Sequence, residues 1–389
     1  MPESLRLRAV QAPIIPVIAD LIRRHPGTLS LGQGVVGYGP PPEARAHLDR
    51  FFAEPANHKY GPVAGAPDLL AAIERKLAAE NGLGPDPERR IMVTAGGNQA
   101  FLNTVLALGD PGDEFILPTP YYFNHEMAVT MANCRPVLAP TDASHQLDLA
   151  ALRAAITPRT RAIVTVSPNN PTGAVYPAAT LRAVNALCAE RGLYHVSDEA
   201  YEHFTYDGAT HFSPASLPGA TAHTVSLYSL SKSHGFASWR IGWMAYPASL
   251  DPALRKIQDT VLICPPVVAQ HAAMGALAAE GYVRAQRRGI ETARALVQRE
   301  LAALEAEGLC TVPSAEGAFY FLLRVHTDFP ALTVAERLVR EHGVAVIPGS
   351  AFGLASGCHL RVAYGALSPE TAGEAIARLG RGLRALTGA

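Results

Sequence analysis

The chain has 389 residues, of which 48% are hydrophobic and 17% are charged, and its formal net charge at pH 7 is −1. This length predicts about two domains, and the composition is typical of a well-packed globular protein rather than of a disordered or fibrous one. Because the charge is near zero and the sequence has no block of like charges, neither nucleic acid nor a membrane surface is a favoured partner.

The sequence also shows no signal for export or for metal binding. Residues 1–20 lack the long apolar core and the small-residue cleavage site of a signal peptide, and no stretch reaches the ~20 apolar residues of a membrane helix. The five cysteines are scattered without Cys-x-x-Cys spacing, which argues against a disulfide framework and against a zinc site. We therefore expect a cytoplasmic protein without a bound metal.

The N-terminal region combines an amphipathic segment, residues 13–24, with a loop rich in glycine and proline at residues 31–42. So many glycines and prolines exclude regular structure and allow the backbone to approach a neighbour closely. Since Leu31, Val35 and Val36 are too apolar for an exposed linker, we expect a buried loop near a functional site.

From about residue 65 to residue 285, strand-like and helical segments alternate along the chain. The strand-like segments are 91–94, 114–117, 135–138, 162–166, 194–197, 224–228 and 241–246. The helical patterns include 68–80, 98–108, 124–131, 149–155 and 178–191. This alternation predicts βαβ units around a mainly parallel sheet, and ligands bind such sheets beyond the carboxyl ends of their strands. We therefore expect the functional residues directly after the strands.

The C-terminal hundred or so residues form a second unit with a different pattern. The expected elements are a long helix at 282–307, a strand at 319–324, a helix at 334–342, strands at 344–347 and 359–363, and a final helix. The sequence therefore predicts an α/β fold with a large, mostly parallel seven-stranded sheet sandwiched by helices and a smaller α+β unit.

The segment 229–242 places one lysine, Lys232, among few other charges, with Ser229 and Ser231 before it and Arg240 eight positions after it. A lysine performs covalent chemistry when burial or nearby positive charge keeps its amine close to the neutral form. Serine hydroxyls and a guanidinium both donate hydrogen bonds to phosphate oxygens. A lysine that forms a Schiff base beside a phosphate indicates pyridoxal phosphate. The alternative is an exposed loop lysine near a structural arginine.

Two further segments that follow strands offer partners for a phosphate and for a planar ring. Gly97 and Asn98 open a helix after the strand at 91–94. Free backbone N–H groups there suit a phosphate, although such turns also occur for structural reasons alone. Tyr122 follows the strand at 114–117 and either stacks on a planar ring or packs beneath a loop.

Three segments supply polar groups at or near strand ends. Asn170 is flanked by prolines that fix its amide, either toward a phenolate oxygen or as a turn cap. Asp198 can keep a pyridine nitrogen protonated, with Tyr201 as a donor to the ring oxygen, or it can cap the next segment. Arg361 interrupts an apolar strand, so it needs an anion, which is either a substrate carboxylate or the partner in an internal salt bridge.

In combination these motifs resemble class I and II aminotransferases of the fold-type I pyridoxal phosphate family. Asn-Asn-Pro-Thr-Gly at 169–173, Asp-Glu-Ala-Tyr at 198–201 and Ser-x-Ser-Lys at 229–232 are specific together, where each alone is not. The resemblance in order and spacing runs from residue 31 to Arg361.

The resemblance implies a division into two domains. Residues 41–285 would form the large cofactor-binding domain. Residues 1–40 and 286–389 would form the small domain, built from both termini, that closes over the substrate. It also implies an aminotransferase that moves an amino group from an amino acid to a 2-oxo acid.

The resemblance further implies a role for each motif residue. Lys232 would hold the cofactor as a Schiff base and carry the substrate proton, Asp198 would pair with the pyridine nitrogen, and Tyr201 would hold the phenolic oxygen. The other implied positions are Gly97, Asn98, Ser229, Ser231 and Arg240 around the phosphate, Tyr122 against the ring, Asn170 at the phenolic oxygen and the substrate, and Gly34 and Arg361 at the substrate α-carboxylate. Tyr60 matches a tyrosine that reaches the phosphate of the neighbouring subunit, which implies a homodimer.

Two features of the sequence indicate which kind of substrate side chain the enzyme accepts. Aspartate-type members of the bacterial subgroup often carry a lysine where this chain has Asn98, and the arm at residues 12–18 is apolar. We therefore expect neutral amino acids, aromatic or aliphatic, as donors and 2-oxoglutarate or pyruvate as acceptor. An aspartate-type aminotransferase and a C–S β-lyase remain as alternatives, because the core motifs do not separate them.

Overall fold

The computed structural model describes residues 3–387. Within that range the strands are β1 (Leu29–Ser30), β2 (Arg89–Thr94), β3 (Glu114–Thr119), β4 (Arg135–Pro140), β5 (Thr160–Val166), β6 (Tyr194–Asp198), β7 (Thr224–Ser229), β8 (Gly242–Pro247), β9 (Cys310–Thr311), β10 (Tyr320–Val325), β11 (Val344–Ala345), β12 (Ile347–Pro348) and β13 (Cys358–Ala363). The α-helices are α1 (Leu5–Ala9), α2 (Ile14–Arg24), α3 (Pro42–Ala53), α4 (Pro67–Asn81), α5 (Gly97–Leu108), α6 (Phe123–Met131), α7 (Leu149–Ala154), α8 (Ala178–Arg191), α9 (Leu230–Ser233), α10 (Asp251–Val261), α11 (Val267–Leu277), α12 (Tyr282–Ala306), α13 (Ala331–His342) and α14 (Pro369–Thr387).

The largest sheet has seven strands in the order β2-β8-β7-β6-β5-β3-β4. Only β8 runs antiparallel to its neighbours, β2 and β7, while the other pairs are parallel. The prediction of a mostly parallel seven-stranded sheet is therefore confirmed. Six strands end at the same edge of the sheet, where their following loops converge.

Helices cover both faces of this sheet because successive strand residues point to opposite sides. Leu227 and Met244 pack with α5 and α6 on one face, while the adjacent Tyr228 and Trp243 pack with α4 and α11 on the other. Every residue of β8 and nearly every residue of β7 is buried, as expected for a strand covered on both faces.

The C-terminal part of the chain builds a four-stranded sheet in the order β12-β13-β10-β9, whose pairs are all antiparallel. Its residues share a hydrophobic core with α12, α13 and α14. The N-terminal strand β1 pairs in parallel with β11, with Leu29 opposite Val344. Leu31, at the start of the glycine-rich loop, is fully buried in that core, as predicted.

The prediction of one strand at 344–347 was wrong. The segment forms two short strands, because β11 pairs with β1 while β12 pairs with β13 in a different sheet. Both parts are buried and apolar, so the run of hydrophobic residues does not show the change of partner between them. Among residues 3–387 there is no helix that combines the length and the apolar character needed to cross a membrane.

Candidate active site

A cavity of about 380 Å³ lies at the edge of the large sheet where its parallel strands end. Twelve of the thirteen residues predicted from the sequence line it: Gly34, Gly97, Asn98, Tyr122, Asn170, Asp198, Tyr201, Ser229, Ser231, Lys232, Arg240 and Arg361. Larger clefts of about 850 and 760 Å³ exist elsewhere, but their walls contain none of these residues. The chemistry of the lining, rather than the volume, makes this cavity the candidate active site.

Lys232 lies on the short helix α9 directly after β7. The Ser229 side chain caps this helix by accepting a hydrogen bond from the Ser231 amide at 3.1 Å. The Tyr38 hydroxyl donates to the Lys232 carbonyl at 2.8 Å, and the Lys232 amine donates to the Gly34 carbonyl. These contacts place the amine in the cavity under the glycine-rich loop.

The surroundings of Lys232 keep its amine close to the neutral form. Burial lowers the pKa of Lys232 to about 8, with Arg361 and Arg240 acting in the same direction and Asp198 opposing them. An amine with this pKa has a far larger neutral fraction near physiological pH than an ordinary lysine, which favours a covalent role.

The start of α5 and Arg240 form one wall of the cavity. Gly96 has a φ of +80°, and a Cβ there would overlap the Arg240 guanidinium, so only glycine permits this approach. Arg240 donates to the carbonyls of Ala237 and Ala95, each at 3.0 Å, which leaves other N–H groups of its fork for a ligand. Together with the N–H groups of the first turn of α5, this wall fits a phosphate group.

Asp198 ends β6, and its two carboxylate oxygens have different partners. One oxygen accepts from the Ala200 amide at 3.1 Å, and the other lies 3.1 Å from His125 Nε2. His125 belongs to α6 and stacks on Phe101 with ring centroids 3.9 Å apart. The sequence did not point to His125, because a histidine inside a helical stretch carries no motif. A carboxylate held in this way suits a pyridine nitrogen.

A hydrogen-bonded group connects Asn170, Tyr201 and Arg361. The Asn170 amide donates to the Tyr201 hydroxyl at 3.3 Å, and its oxygen accepts from Arg361 Nη1 at 2.8 Å. Burial, followed by the neighbouring Tyr320, raises the pKa of Tyr201 well above its usual range, so that phenol keeps its proton. Tyr201 and Asn170 therefore both offer donors to a phenolic oxygen in the cavity.

Arg361 is 2% exposed, and its partners are neutral. It donates to the Asn170 amide oxygen and, through Nη2, to the Gly32 carbonyl at 2.7 Å, while its Nε has no partner in the described part of the chain. A buried cation without a paired carboxylate requires an anion from outside. This arrangement favours a substrate carboxylate over an internal salt bridge.

Tyr122 and Tyr60 differ in their placement. The Tyr122 hydroxyl lies 3.3 Å from Asn98 Oδ1 and accepts from the Asn124 amide at 2.8 Å, with its ring at the cavity. Tyr60 is 82% exposed and lies outside the cavity, so the single chain does not bring it to the other residues.

The cavity thus fits a cofactor that carries a phosphate, a pyridine nitrogen and a phenolic oxygen and that binds covalently to a lysine. Pyridoxal phosphate is the cofactor with these groups. Residues 26–379 match the family model for aminotransferase class I and II. The chain belongs to this family of fold-type I pyridoxal phosphate enzymes. It is a transaminase that uses pyridoxal phosphate.

Similar proteins and solved structures cover nearly the whole chain. It is 34% identical to "Aromatic aminotransferase ISS1" of Arabidopsis thaliana, over 98% of this chain and 96% of that protein. It is 38% identical to "Aspartate/prephenate aminotransferase" of Thermus thermophilus, over 93% of this chain and 92% of that protein. The structure of aspartate aminotransferase from Thermus thermophilus with maleate matches with a TM-score of 0.89 at 34% identity, covering 98% and 100% of the two chains.

Proposed function

We propose that this transaminase takes its amino group from neutral amino acids, aromatic or aliphatic, and transfers it to a 2-oxo acid such as 2-oxoglutarate or pyruvate. The observation that carries the proposal is the distribution of charge around the cavity. Its cationic lining residues are Lys232, Arg240 and Arg361, and each already has a role at the lysine, phosphate or α-carboxylate position.

Pyridoxal phosphate, when bound, withdraws electrons from the substrate Cα and so makes the Cα proton removable. Lys232, with its lowered pKa, acts as the general base that takes this proton and carries it between the substrate Cα and the cofactor. Asp198, oriented by His125, keeps the pyridine nitrogen protonated, while Asn170 and Tyr201 donate to the phenolic oxygen. Arg361 holds the α-carboxylate through its bidentate fork.

Apart from Gln33 and Tyr320, the remaining wall of the cavity is apolar and would face the substrate side chain. Ile15 from α2, Val35 from the glycine-rich loop and Phe123 from α6 all line the cavity. Asn98 contributes an uncharged amide where aspartate-type relatives often carry lysine. A distal carboxylate would be desolvated here without a cation, which is unfavourable.

We expect the purified enzyme to turn over phenylalanine, leucine or methionine with a higher kcat/KM than aspartate, because the described lining of the cavity offers no further cation to a distal carboxylate. A panel of donors assayed with 2-oxoglutarate and with pyruvate measures this. Asn98→Lys should raise kcat/KM for aspartate about tenfold or more relative to phenylalanine, while Asn98→Met, of similar length but uncharged, should not. A wild-type enzyme that prefers aspartate would contradict the proposal.

The same panel separates transamination from β-elimination. A C–S β-lyase would release pyruvate and ammonia from a cysteine conjugate without any 2-oxo acid acceptor. Transamination instead requires the acceptor, and the amino group is recovered on it.

We further propose a homodimer in which Tyr60 reaches the cofactor phosphate of the neighbouring subunit. Tyr60 is 82% exposed although it is aromatic, and the apolar Ile263 nearby is 39% exposed with a positive φ of 69°. The Gly61 amide donates to Cys264 Sγ at 3.3 Å, so the two segments adjoin. An exposed apolar surface of this kind is typical of an interface.

Subunit complementation tests the dimer. Lys232→Ala and Tyr60→Ala should each lower activity as pure proteins. When the two variants are co-expressed, they should form hybrid dimers in which one of the two sites has both residues. About a quarter of all sites in the mixture should then be complete. Mixed protein no more active than the average of the two variants would contradict the exchange of Tyr60.

Two further assignments remain proposals. We infer that residues 41–285 form the large domain and residues 1–40 and 286–389 the small one, which limited proteolysis near the junction tests. We also infer a cytoplasmic location, supported by five buried cysteines that are all free thiols, and cell fractionation tests it.

A further inference from the structure

Tyr320 is a buried residue of the cavity that the sequence motifs did not indicate. It lies on β10, and its hydroxyl is 2.6 Å from the Tyr201 hydroxyl. The Arg361 guanidinium lies over its ring, 4.6 Å from the centroid. A Cβ at Gly34 would lie 2.5 Å from the Tyr320 hydroxyl, so the glycine leaves room for this contact. Tyr320 thus lies between the arginine of the carboxylate site and the tyrosine of the cofactor site.

Counting donors shows what each direction of the hydrogen bond between the two tyrosines would leave free. A phenol has one O–H donor and two acceptor lone pairs. The Asn170 amide already donates to the Tyr201 oxygen, and that amide is oriented because its own oxygen accepts from Arg361. In the described chain, Tyr201 is the hydrogen-bond partner of the Tyr320 hydroxyl. If Tyr320 donates, both acceptor positions of Tyr201 are filled and the Tyr201 proton is left for the cavity.

The position of Arg361 favours the same direction. A cation over the face of a phenol ring is attracted by the ring and withdraws electron density from it. The Tyr320 O–H is thereby a stronger donor, while within residues 3–387 no cation lies over the Tyr201 ring. Hydrogen bonds in such a chain polarise one another, so donation by Tyr320 makes Tyr201 a stronger donor in turn.

We propose that Tyr320 is a positioning residue whose hydroxyl donates to Tyr201 and so directs the Tyr201 proton toward the phenolic oxygen of the cofactor. The inference deepens the proposed function, since it rests on Tyr201 facing that oxygen. With pyridoxal phosphate bound, negative charge on this oxygen would stabilise a proton on the nitrogen that joins Lys232 to the cofactor. Tyr320 therefore sets the pH at which that nitrogen loses its proton.

The test is a spectroscopic pH titration of the cofactor-loaded enzyme, because protonation of this nitrogen changes the visible absorbance. Tyr320→Phe weakens donation to the phenolic oxygen, which keeps more negative charge. The midpoint should therefore move upward by roughly half a pH unit, the size of one modest hydrogen bond. Tyr206→Phe is the matched control, since Tyr206 is buried in the same core and donates to the Ala318 carbonyl at 2.8 Å. It should leave the midpoint unchanged.

A double-mutant cycle decides whether Tyr320 acts through Tyr201. Tyr201→Phe alone should raise the midpoint more than Tyr320→Phe, and adding Tyr320→Phe to it should produce no further shift. An unchanged midpoint in Tyr320→Phe, or equal shifts with and without Tyr201, would overturn the inference. If Tyr201→Phe itself causes no shift, the proposed role of Tyr201 fails instead, so the two failures are distinguishable.

Discussion

Lys232→Ala is expected to abolish covalent attachment of pyridoxal phosphate and to lower turnover by roughly four orders of magnitude, the upper end of what one general base contributes. Both losses follow from one side chain, since the amine proposed to join the cofactor is also the proposed base for the Cα proton. Reduction of the loaded enzyme with borohydride, followed by digestion and mass spectrometry, should find the cofactor on a peptide containing Lys232.

The chain offers a matched control for this change. It has four lysines, and Lys256 is exposed on α10, away from the cavity. Lys256→Ala should keep both the attached cofactor and the activity. Recovery of the reduced cofactor on a peptide with Lys59, Lys76 or Lys256 would contradict the assignment of Lys232.

The lowered pKa of Lys232 also predicts a pH dependence for cofactor uptake by the apoprotein. Only the neutral amine attacks the cofactor aldehyde, and its fraction rises with pH through the pKa of about 8. The uptake rate, followed by stopped-flow absorbance, should therefore rise with a midpoint near pH 8. At pH 6 it should be about a hundredfold slower than on the plateau at high pH. A rate that keeps rising toward the usual lysine pKa would show that burial and the two arginines do not act on this amine.

The sequence predicted the large sheet and most of the residues that line the candidate cavity, because both depend on local patterns. The alternation of strands and helices is set by hydrophobic periodicity, and residues such as Asn170 and Asp198 follow strand ends. The two short strands β11 and β12 were missed as separate elements because pairing partners are a tertiary property.

The residues that the motifs missed share a physical reason. His125 lies inside α6 and Tyr320 inside β10, and each acquires its role only through a contact with a residue more than 70 positions away, Asp198 and Tyr201 respectively. Nothing in the spacing around either residue distinguishes it from a buried core residue. Tyr60 is the opposite case. The family resemblance implies that it reaches the phosphate of the neighbouring subunit, and such a contact is not visible in a single chain.

The parts of the site are also coupled, since one charged residue, Arg361, acts on several of them. Arg361 contacts Asn170, lies over Tyr320 and lowers the pKa of Lys232. A residue that only bound the carboxylate would change substrate affinity alone when replaced. Arg361 should instead change both substrate affinity and the chemistry of the lysine.

Arg361→Met is therefore expected to lower kcat/KM for an amino acid by about two to three orders of magnitude, the cost of removing one partner of a buried charge pair. It should also raise the pH midpoint of cofactor uptake, because one of the two cations that lower the pKa of Lys232 is gone. The kinetic effect is measured as the ratio of kcat/KM for phenylalanine to that for 2-phenylethylamine, which lacks the carboxylate.

Arg361→Lys separates the two contributions of this side chain. It keeps the positive charge but loses the planar fork, so the phenylalanine to phenylethylamine ratio should fall while the uptake midpoint remains near pH 8. If Arg361 served only to hold Asn170 and the surrounding core, both variants would impair the two substrates equally and the ratio would stay at its wild-type value. A fallen ratio in both variants, with a raised midpoint in Arg361→Met alone, assigns the fork to the carboxylate and the charge to Lys232.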